Sequence, residues 1–320
     1  MNKFRSCFSY LIELFIEFRR ASGSWNEASY GFHIRRFDHF CADNYPKDTA
    51  LTQAMIDTWC AKRSTETNGS NIKRTQAVRL FVGYLRSRGL ADVIAPLRLK
   101  PEPRTYIPYP FEEYELQRFF NACDQIQPVP KHRVSMIRKL SVPVFFRLLY
   151  STGMRPIEAR LLKRKDVDLK RGVIDIKNSK GHDQHYVVLH DSMSELMGRY
   201  DKAIAEIQPS RDYFFESSTG ECYSSTWVSW NFRQLWVRAN GAANSPVARD
   251  LRHHYVTSNI NSWTGDGFCL TDKLQYLSKS LGHRAIESTQ YYYSLVPRLT
   301  DTLREKTEAG FNIIVPEATW

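Results

Sequence analysis

Four short segments carry side chains whose types and placement could do chemistry. In Ser151-Thr-Gly-Met-Arg-Pro-Ile-Glu158, Pro156 suits the first position of a helix and Glu158 the third, which puts Arg155 at the cap. A helix N-terminus offers free N–H groups and partial positive charge, so an arginine there builds an anion site. The alternative for Arg155 is a surface pair with Glu158. In Ser245-Pro-Val-Ala-Arg-Asp-Leu-Arg-His253, Ser245 and Pro246 suit a helix start, so Arg249 and Arg252 fall three residues apart on one face. Two guanidiniums on one face repel unless an anion joins them, and phosphate suits their planar forks. The alternative is a solvated basic face. Lys180 lies in the turn Asn178-Ser-Lys-Gly181, where lysines are usually only solvated. Leu281-Gly-His283 precedes three adjacent tyrosines, Tyr291, Tyr292 and Tyr293, a cluster that more often packs than reacts. The chain has no P-loop, no G-x-G-x-x-G, no H-E-x-x-H and no G-x-S-x-G.

The elements that must position these residues are mainly helical. Helices are expected at about 4–20, 25–43, 52–62 and 71–88, the last with Val78, Phe81 and Leu85 on one apolar face. Five prolines (Pro96, Pro101, Pro103, Pro108, Pro110) then stiffen residues 92–110, which reads as a linker. Beyond it, helices are expected at 111–123, 142–150, 191–207, 225–239, 246–261 and 272–280. Two β-rich runs, 172–176 and 185–189, flank a polar turn and suggest a hairpin. The fold class is therefore α+β: mainly α with a small antiparallel β-sheet.

Charge and cysteine usage narrow the partners. The net charge is +11, and residues 1–110 hold 17 Lys and Arg against 10 Asp and Glu. An excess of this kind points to a polyanion. The six cysteines form no C-x-x-C pair, which removes support for a zinc ribbon or a thioredoxin-like site and suits reduced thiols in a cytoplasmic protein. Lys3 and Arg5 precede an apolar stretch, but Glu13 and Glu17 interrupt it at helical spacing and no small-residue cleavage site follows. An amphipathic helix is expected there rather than a signal peptide. No run approaches the ~20 apolar residues of a membrane span.

Taken together, the four segments resemble the tyrosine recombinase (phage integrase) family. STGMRPIEARLLKRKDVDL resembles its first arginine box, SKGHDQHYVVL its β-hairpin lysine motif, RDLRHHYVTSNI its H-x-x-R box, and LSKSLGHRAIESTQYYY its L-G-H…T-x-x-Y ending. All four occur in the family's order. The N-terminal part is similar, more loosely, to a helical core-binding domain. The resemblance implies a core-binding clamp at 1–91, a linker at 92–110, a catalytic domain at 111–298 and a tail at 299–320.

It also implies roles. Arg155 and Arg252 would clamp the scissile phosphate, Lys180 would protonate the leaving 5′ oxygen, and His283 would hydrogen-bond the phosphate or support the nucleophile. Tyr292 would be the nucleophile, with Tyr291 and Tyr293, turned about 100° away on a helix, left for packing. The chain departs from the family at Arg249, where His is usual. Arginine cannot act as a base, but it can donate to phosphate and favour the phenolate by its charge. A tyrosine ester conserves bond energy for religation, and cations can stabilise the transition-state charge, so no metal or other cofactor is expected.

The implied function is site-specific recombination of DNA through a 3′-phosphotyrosine, for integration, excision or inversion of a mobile element. A type IB topoisomerase-like enzyme or a catalytically weakened DNA-binding protein are the alternatives. Expected partners are double-stranded DNA, other copies in a homotetramer on paired sites, and accessory DNA-bending proteins; no membrane is expected. Arg35, Arg36, Lys73, Arg74 and Arg79 are the expected DNA contacts of the clamp. The apolar tail segment 311–315 would dock either on a neighbouring subunit or on its own domain.

Overall fold

A computed structural model describes residues 4–102, 106–177, 184–263, 270–283 and 289. The chain forms two compact units, Met1–Tyr106 and Ile107–Trp320, and the division falls inside the proline-rich segment.

Among the described residues, the first unit holds four α-helices: α1 (Ser9–Ala21), α2 (Phe32–Asn44), α3 (Gln53–Cys60) and α4 (Asn68–Arg86). Their apolar stripes meet around Phe15, Phe37 and Phe81, all fully buried, with the Phe15 and Phe81 rings 5.5 Å apart. Burying each such ring contributes roughly 1.5–3 kcal/mol. The buried carboxylate of Asp38 in α2 accepts from the Arg5 amide at 2.7 Å and the Ser6 amide at 3.0 Å, which ties down the start of α1. Two boundaries differ from the sequence expectation. The helix expected from Trp25 opens instead as a π-helical turn, Glu27–Gly31, capped by the Asn26 side chain. The Glu27 carboxylate folds over Gly31, where a Cβ would lie 2.2 Å from it. Helix α4 starts three residues early because the Thr67 hydroxyl caps it, accepting from the Ser70 amide at 3.2 Å.

The second unit contains α5 (Glu113–Asp124), α6 (Arg133–Thr152), α7 (Pro156–Leu161), β1 (Val167–Asp168), β2 (Val173–Ile176), β3 (His185–Val188), α8 (Asp191–Ala205), α9 (Ser225–Asn240), α10 (Asp250–Ser262) and α11 (Leu270–Ser280). The strands form an antiparallel sheet in the order β1-β2-β3, with Ile176 opposite His185 and Val173 opposite Val188. The two-residue β1 is too short for any alternation to show in sequence. Helix α6 is far longer than the expected 142–150 segment and runs straight through Pro143. Proline removes one helical hydrogen bond. Burial of Ile137, Val142, Val144, Phe145 and Phe146 on either side offsets that loss. Around α6 the core gathers Phe119, Phe215, Phe232 and Trp236. A smaller cluster, Val256, Ile260, Leu277 and Leu281, packs α10 against α11.

Helix α10 begins at Asp250, not at Pro246 as the sequence suggested. The Asp250 carboxylate accepts from the Val247 amide at 2.9 Å, closing a turn just ahead of the helix. Arg249 therefore sits at the N-cap position rather than in the first turn.

Candidate active site

The site is assembled around the segment Leu281–His283, which follows α11. Arg252, on α10, is 4% exposed. Its guanidinium donates to the Gly153 carbonyl at 2.8 Å and the Leu281 carbonyl at 2.9 Å, and it meets His283 Nε2 at 2.8 Å. Arg155, at the start of α7, reaches the Gly282 carbonyl at 3.5 Å. Two arginines from distant parts of the chain thus converge on three consecutive residues.

The pairing of Arg155 with Glu158 is present. Glu158 accepts from the Arg155 amide at 2.7 Å and from its guanidinium at 2.6 Å, which fixes the rotamer. The Glu158 side chain is fully buried, whereas that of Arg155 keeps 22% of its exposure. The ion pair is therefore the device that aims the arginine.

The hydrogen bonds fix the tautomer of His283. Arginine has donors only, so Nε2 must accept from Arg252 and the proton resides on Nδ1. Nδ1 then donates to the Thr289 hydroxyl at 2.7 Å. Thr289 is fully buried, so this contact holds the ring plane.

Two glycines permit the close approaches. Gly153 ends α6 in the left-handed conformation, φ 63°, and a Cβ there would meet the Tyr255 ring of α10 at 2.3 Å. Gly282 has φ 61°, and a Cβ there would meet the His185 ring of β3 at 2.6 Å. Any side chain at either position would strain the backbone and push α10 or β3 away.

Arg249 differs from its neighbour. The expected shared face is not realised in burial: Arg252 is inside, while Arg249 is exposed and its side chain makes no hydrogen bond or ion pair among the described residues. The environment of the next two histidines on α10 shifts both towards the neutral form. Burial lowers the pKa of His253, assisted by the charges of Arg249 and Arg252, and burial alone lowers that of His254. The ring of His254 stacks on Tyr150 at 5.7 Å. Lys180, Tyr291, Tyr292, Tyr293 and residues 299–320 lie outside the described residues.

The residues expected to contact DNA in the first unit separate by environment. Lys73 and Arg36 are exposed, Arg36 with its guanidinium over the Phe32 ring at 5.3 Å. Arg35 pairs with Glu27, and Arg79 is half-buried. Arg74 corrects the expectation. It is 6% exposed, pairs with Glu66 at 2.7 Å, and donates to the carbonyls of Trp59 and Ala61. Its place on the amphipathic helix looked like a basic face, but its side chain closes the α3–α4 connection. Exposed Arg63 was not among the expected contacts. It lines, with Arg36, His39 and Trp59, a depression of about 320 Å³.

Sequence reasoning also missed four supporting residues: Gly153, Tyr255, Gly282 and His185. His185 left one signal, since it interrupts the buried positions of β3 with a polar side chain.

Comparison with known proteins names the class to which this fold and this cluster of cations belong. Residues 111–297 match the model of the phage integrase family. A protein of Sinorhizobium fredii named y4rE, described as an integrase/recombinase, is 30% identical over 230 residues, covering 70% of this chain and 72% of that one. The tyrosine recombinase XerD of Vibrio cholerae is 22% identical over 292 residues, covering 88% of this chain and 90% of its own. Among solved structures, the fold is similar to the XerH site-specific recombinase bound to difH substrate (TM-score 0.61, 19% identity, covering 90% of this chain and 82% of that one). It is also similar to the Tn1549 transposon integrase in complex with transposon right end DNA (TM-score 0.60, 14% identity, covering 93% and 98%). The chain belongs to the phage integrase family and is a tyrosine-type site-specific recombinase.

Proposed function

We propose that this recombinase cuts and rejoins duplex DNA through a 3′-phosphotyrosine at Tyr292, to integrate, excise or invert a mobile element. The supporting observation is the convergence of Arg155 and Arg252 on Leu281–His283, whose last residue is nine before Tyr292 in the chain. Guanidiniums held at a fixed position stabilise charge on the non-bridging oxygens as it develops, without reorganising during the reaction. Arg155 and Arg252 bind those oxygens. His283, oriented by Thr289, holds Arg252 in place.

In the cleavage step the Tyr292 oxygen attacks phosphorus. A tyrosyl–phosphorus bond forms as the bond to the 5′ oxygen breaks. Lys180 protonates that oxygen. No base stands where the family usually has histidine. Arg249, exposed and at the N-cap of α10, favours the phenolate by its charge, and the phenol proton passes to solvent. Religation is the reverse, so the reaction needs no external energy source.

The first unit is the clamp. Arg35, Arg36, Lys73 and Arg79 contact phosphates; Arg74 serves the fold. Double-stranded DNA at paired sites, four copies of the chain and accessory DNA-bending proteins make up the assembly, in the cytoplasm. The tail segment 311–315 docks on a neighbouring copy and couples the subunits.

The test is incubation with a plasmid carrying the paired sites that flank the gene. Recombinant products that depend on both sites are expected. Relaxation of the plasmid without recombinants would favour a topoisomerase-like enzyme. Binding with neither would favour a weakened DNA-binding protein. For the tail, removing residues 309–320 is expected to abolish assembly on paired sites while leaving single-site binding; unaffected assembly would contradict docking in trans.

A further inference from the structure

We infer that His185, on strand β3, is a positioning residue for the arginines of the site and acts on them through Gly282. This deepens the reading of Arg155 and Arg252 as a phosphate clamp and rests on it.

His185 is 8% exposed and takes an inward position in β3 that would suit an aliphatic residue. Val187, two residues on, and Ile174 and Ile176 of β2 are buried apolar positions of the same small sheet. A polar ring thus stands in a row of aliphatic side chains, and it packs against Gly282. Because Gly282 lacks a Cβ, the ring occupies the space where that atom would be, 2.6 Å from its Cε1 and 2.8 Å from its Nδ1.

The backbone it touches is the one that holds both arginines. The Gly282 carbonyl accepts from Arg155, and the Leu281 carbonyl accepts from Arg252. His283, the next residue, meets Arg252 again. Gly282 has a positive φ and no side chain of its own to lock it. The His185 ring therefore supplies the wall against which the segment rests. A shift of this segment moves the anchor points of both guanidiniums together. A misplacement of about 1 Å at such a site can lower a rate ~100-fold.

This role differs from simple packing in what it does to the chemistry. A residue that acts through the arginines matters only while the scissile phosphate is an anion. A DNA substrate with one neutral methylphosphonate at the cleavage position removes the charge that the arginines stabilise. A substrate with sulfur in place of the 5′ oxygen leaves that charge but needs no proton on its leaving group, because thiolates form far more readily than alkoxides.

The experiment measures single-turnover cleavage of these two substrates and of ordinary DNA by full-length protein. His185→Ala and His185→Gln are compared with Arg155→Ala, Arg252→Ala and Lys180→Ala. His185→Ala is expected to cleave ordinary DNA at least about tenfold more slowly than the unmodified protein, by the same positional argument. The loss is expected to shrink on the methylphosphonate and to persist on the 5′-thio substrate. His185→Gln, which retains bulk and a polar end, should lose less and show the same pattern. It also serves if His185→Ala does not fold, as judged by thermal melting. Equal loss on all three substrates, selective recovery on the 5′-thio substrate, or no loss at all would overturn the inference. Failure of Arg155→Ala and Arg252→Ala to recover on the methylphosphonate would instead overturn the phosphate-clamp reading itself.

Discussion

Arg74 in the first unit, at 6% exposure, and Arg252 in the second, at 4%, are both almost completely buried. What holds them differs. Arg74 meets the carboxylate of Glu66, eight residues away, and carbonyls at the end of α3, so its contacts close one local connection. The described contacts of Arg252 are carbonyl dipoles and an imidazole, at separations of 99, 29 and 31 residues. They tie together the end of α6, α10 and the segment after α11. A buried ion pair between near neighbours stabilises a fold. A buried cation fastened by groups from two distant segments fixes a geometry, and that is what a site for an anion requires.

This contrast can be broken most directly at Arg252. Arg252→Ala is expected to lower single-turnover cleavage by roughly 100- to 1,000-fold, the effect of removing one preorganised charge-stabilising donor. DNA binding, measured by gel shift, should change little. If cleavage survives, the contrast between the two arginines is wrong.

At the other arginine the effect should fall on stability. Glu66→Ala strands the Arg74 charge and is expected to destabilise the first unit by roughly 3 kcal/mol, read from denaturant unfolding. Cleavage by the fraction that remains folded should be preserved. The hydrogen bond from Arg74 holds the Glu66 carboxyl down at about 2. Its folded value thus lies below the unfolded one, so its stabilisation is complete above about pH 4.5 and is lost as pH falls towards 2. Glu66→Gln should remove that part of the acid sensitivity.

A smaller effect on catalysis is expected from Thr289→Val, which deletes the acceptor that orients His283. Cleavage should slow by about tenfold, within the range for losing an orienting contact. No change would mean that Arg252 alone holds the ring.

The smallest expected change in rate, but an informative one, concerns Arg249. Arg249→His would place a titratable base at the start of α10. The pH–rate profile should then acquire a limb near 6.5, the ordinary histidine range, that the unmodified protein lacks. An unchanged profile would show that this position does not reach the tyrosine's proton.

Much of this was written in the sequence, though unevenly. The cluster of Arg155, Arg252 and His283 could be anticipated because the four segments occur together in one order, although each alone admitted a bland reading. The α+β class could be anticipated as well, since Val78, Phe81 and Leu85 recur at helical spacing and two β-rich runs flank a polar turn. Three things escaped for physical reasons. Helix α6 hid behind Pro143, because a local penalty was overridden by buried packing that only the tertiary structure reveals. Arg74 was mistaken for a surface cation, because a helical period does not say which polar residue will find a buried partner. Gly153, Gly282 and His185 gave little sign, because their importance lies in contacts between segments far apart in the chain.

The central claim is that the arginine cluster presents a phosphate to Tyr292. A nicked DNA substrate that loses a short fragment on cleavage traps the covalent intermediate and tests this most directly. The unmodified protein, Tyr291→Phe and Tyr293→Phe are expected to form a denaturant-resistant DNA adduct, and Tyr292→Phe to form none. An adduct that persists with Tyr292→Phe would contradict the assignment of the nucleophile and the account of the site built on it.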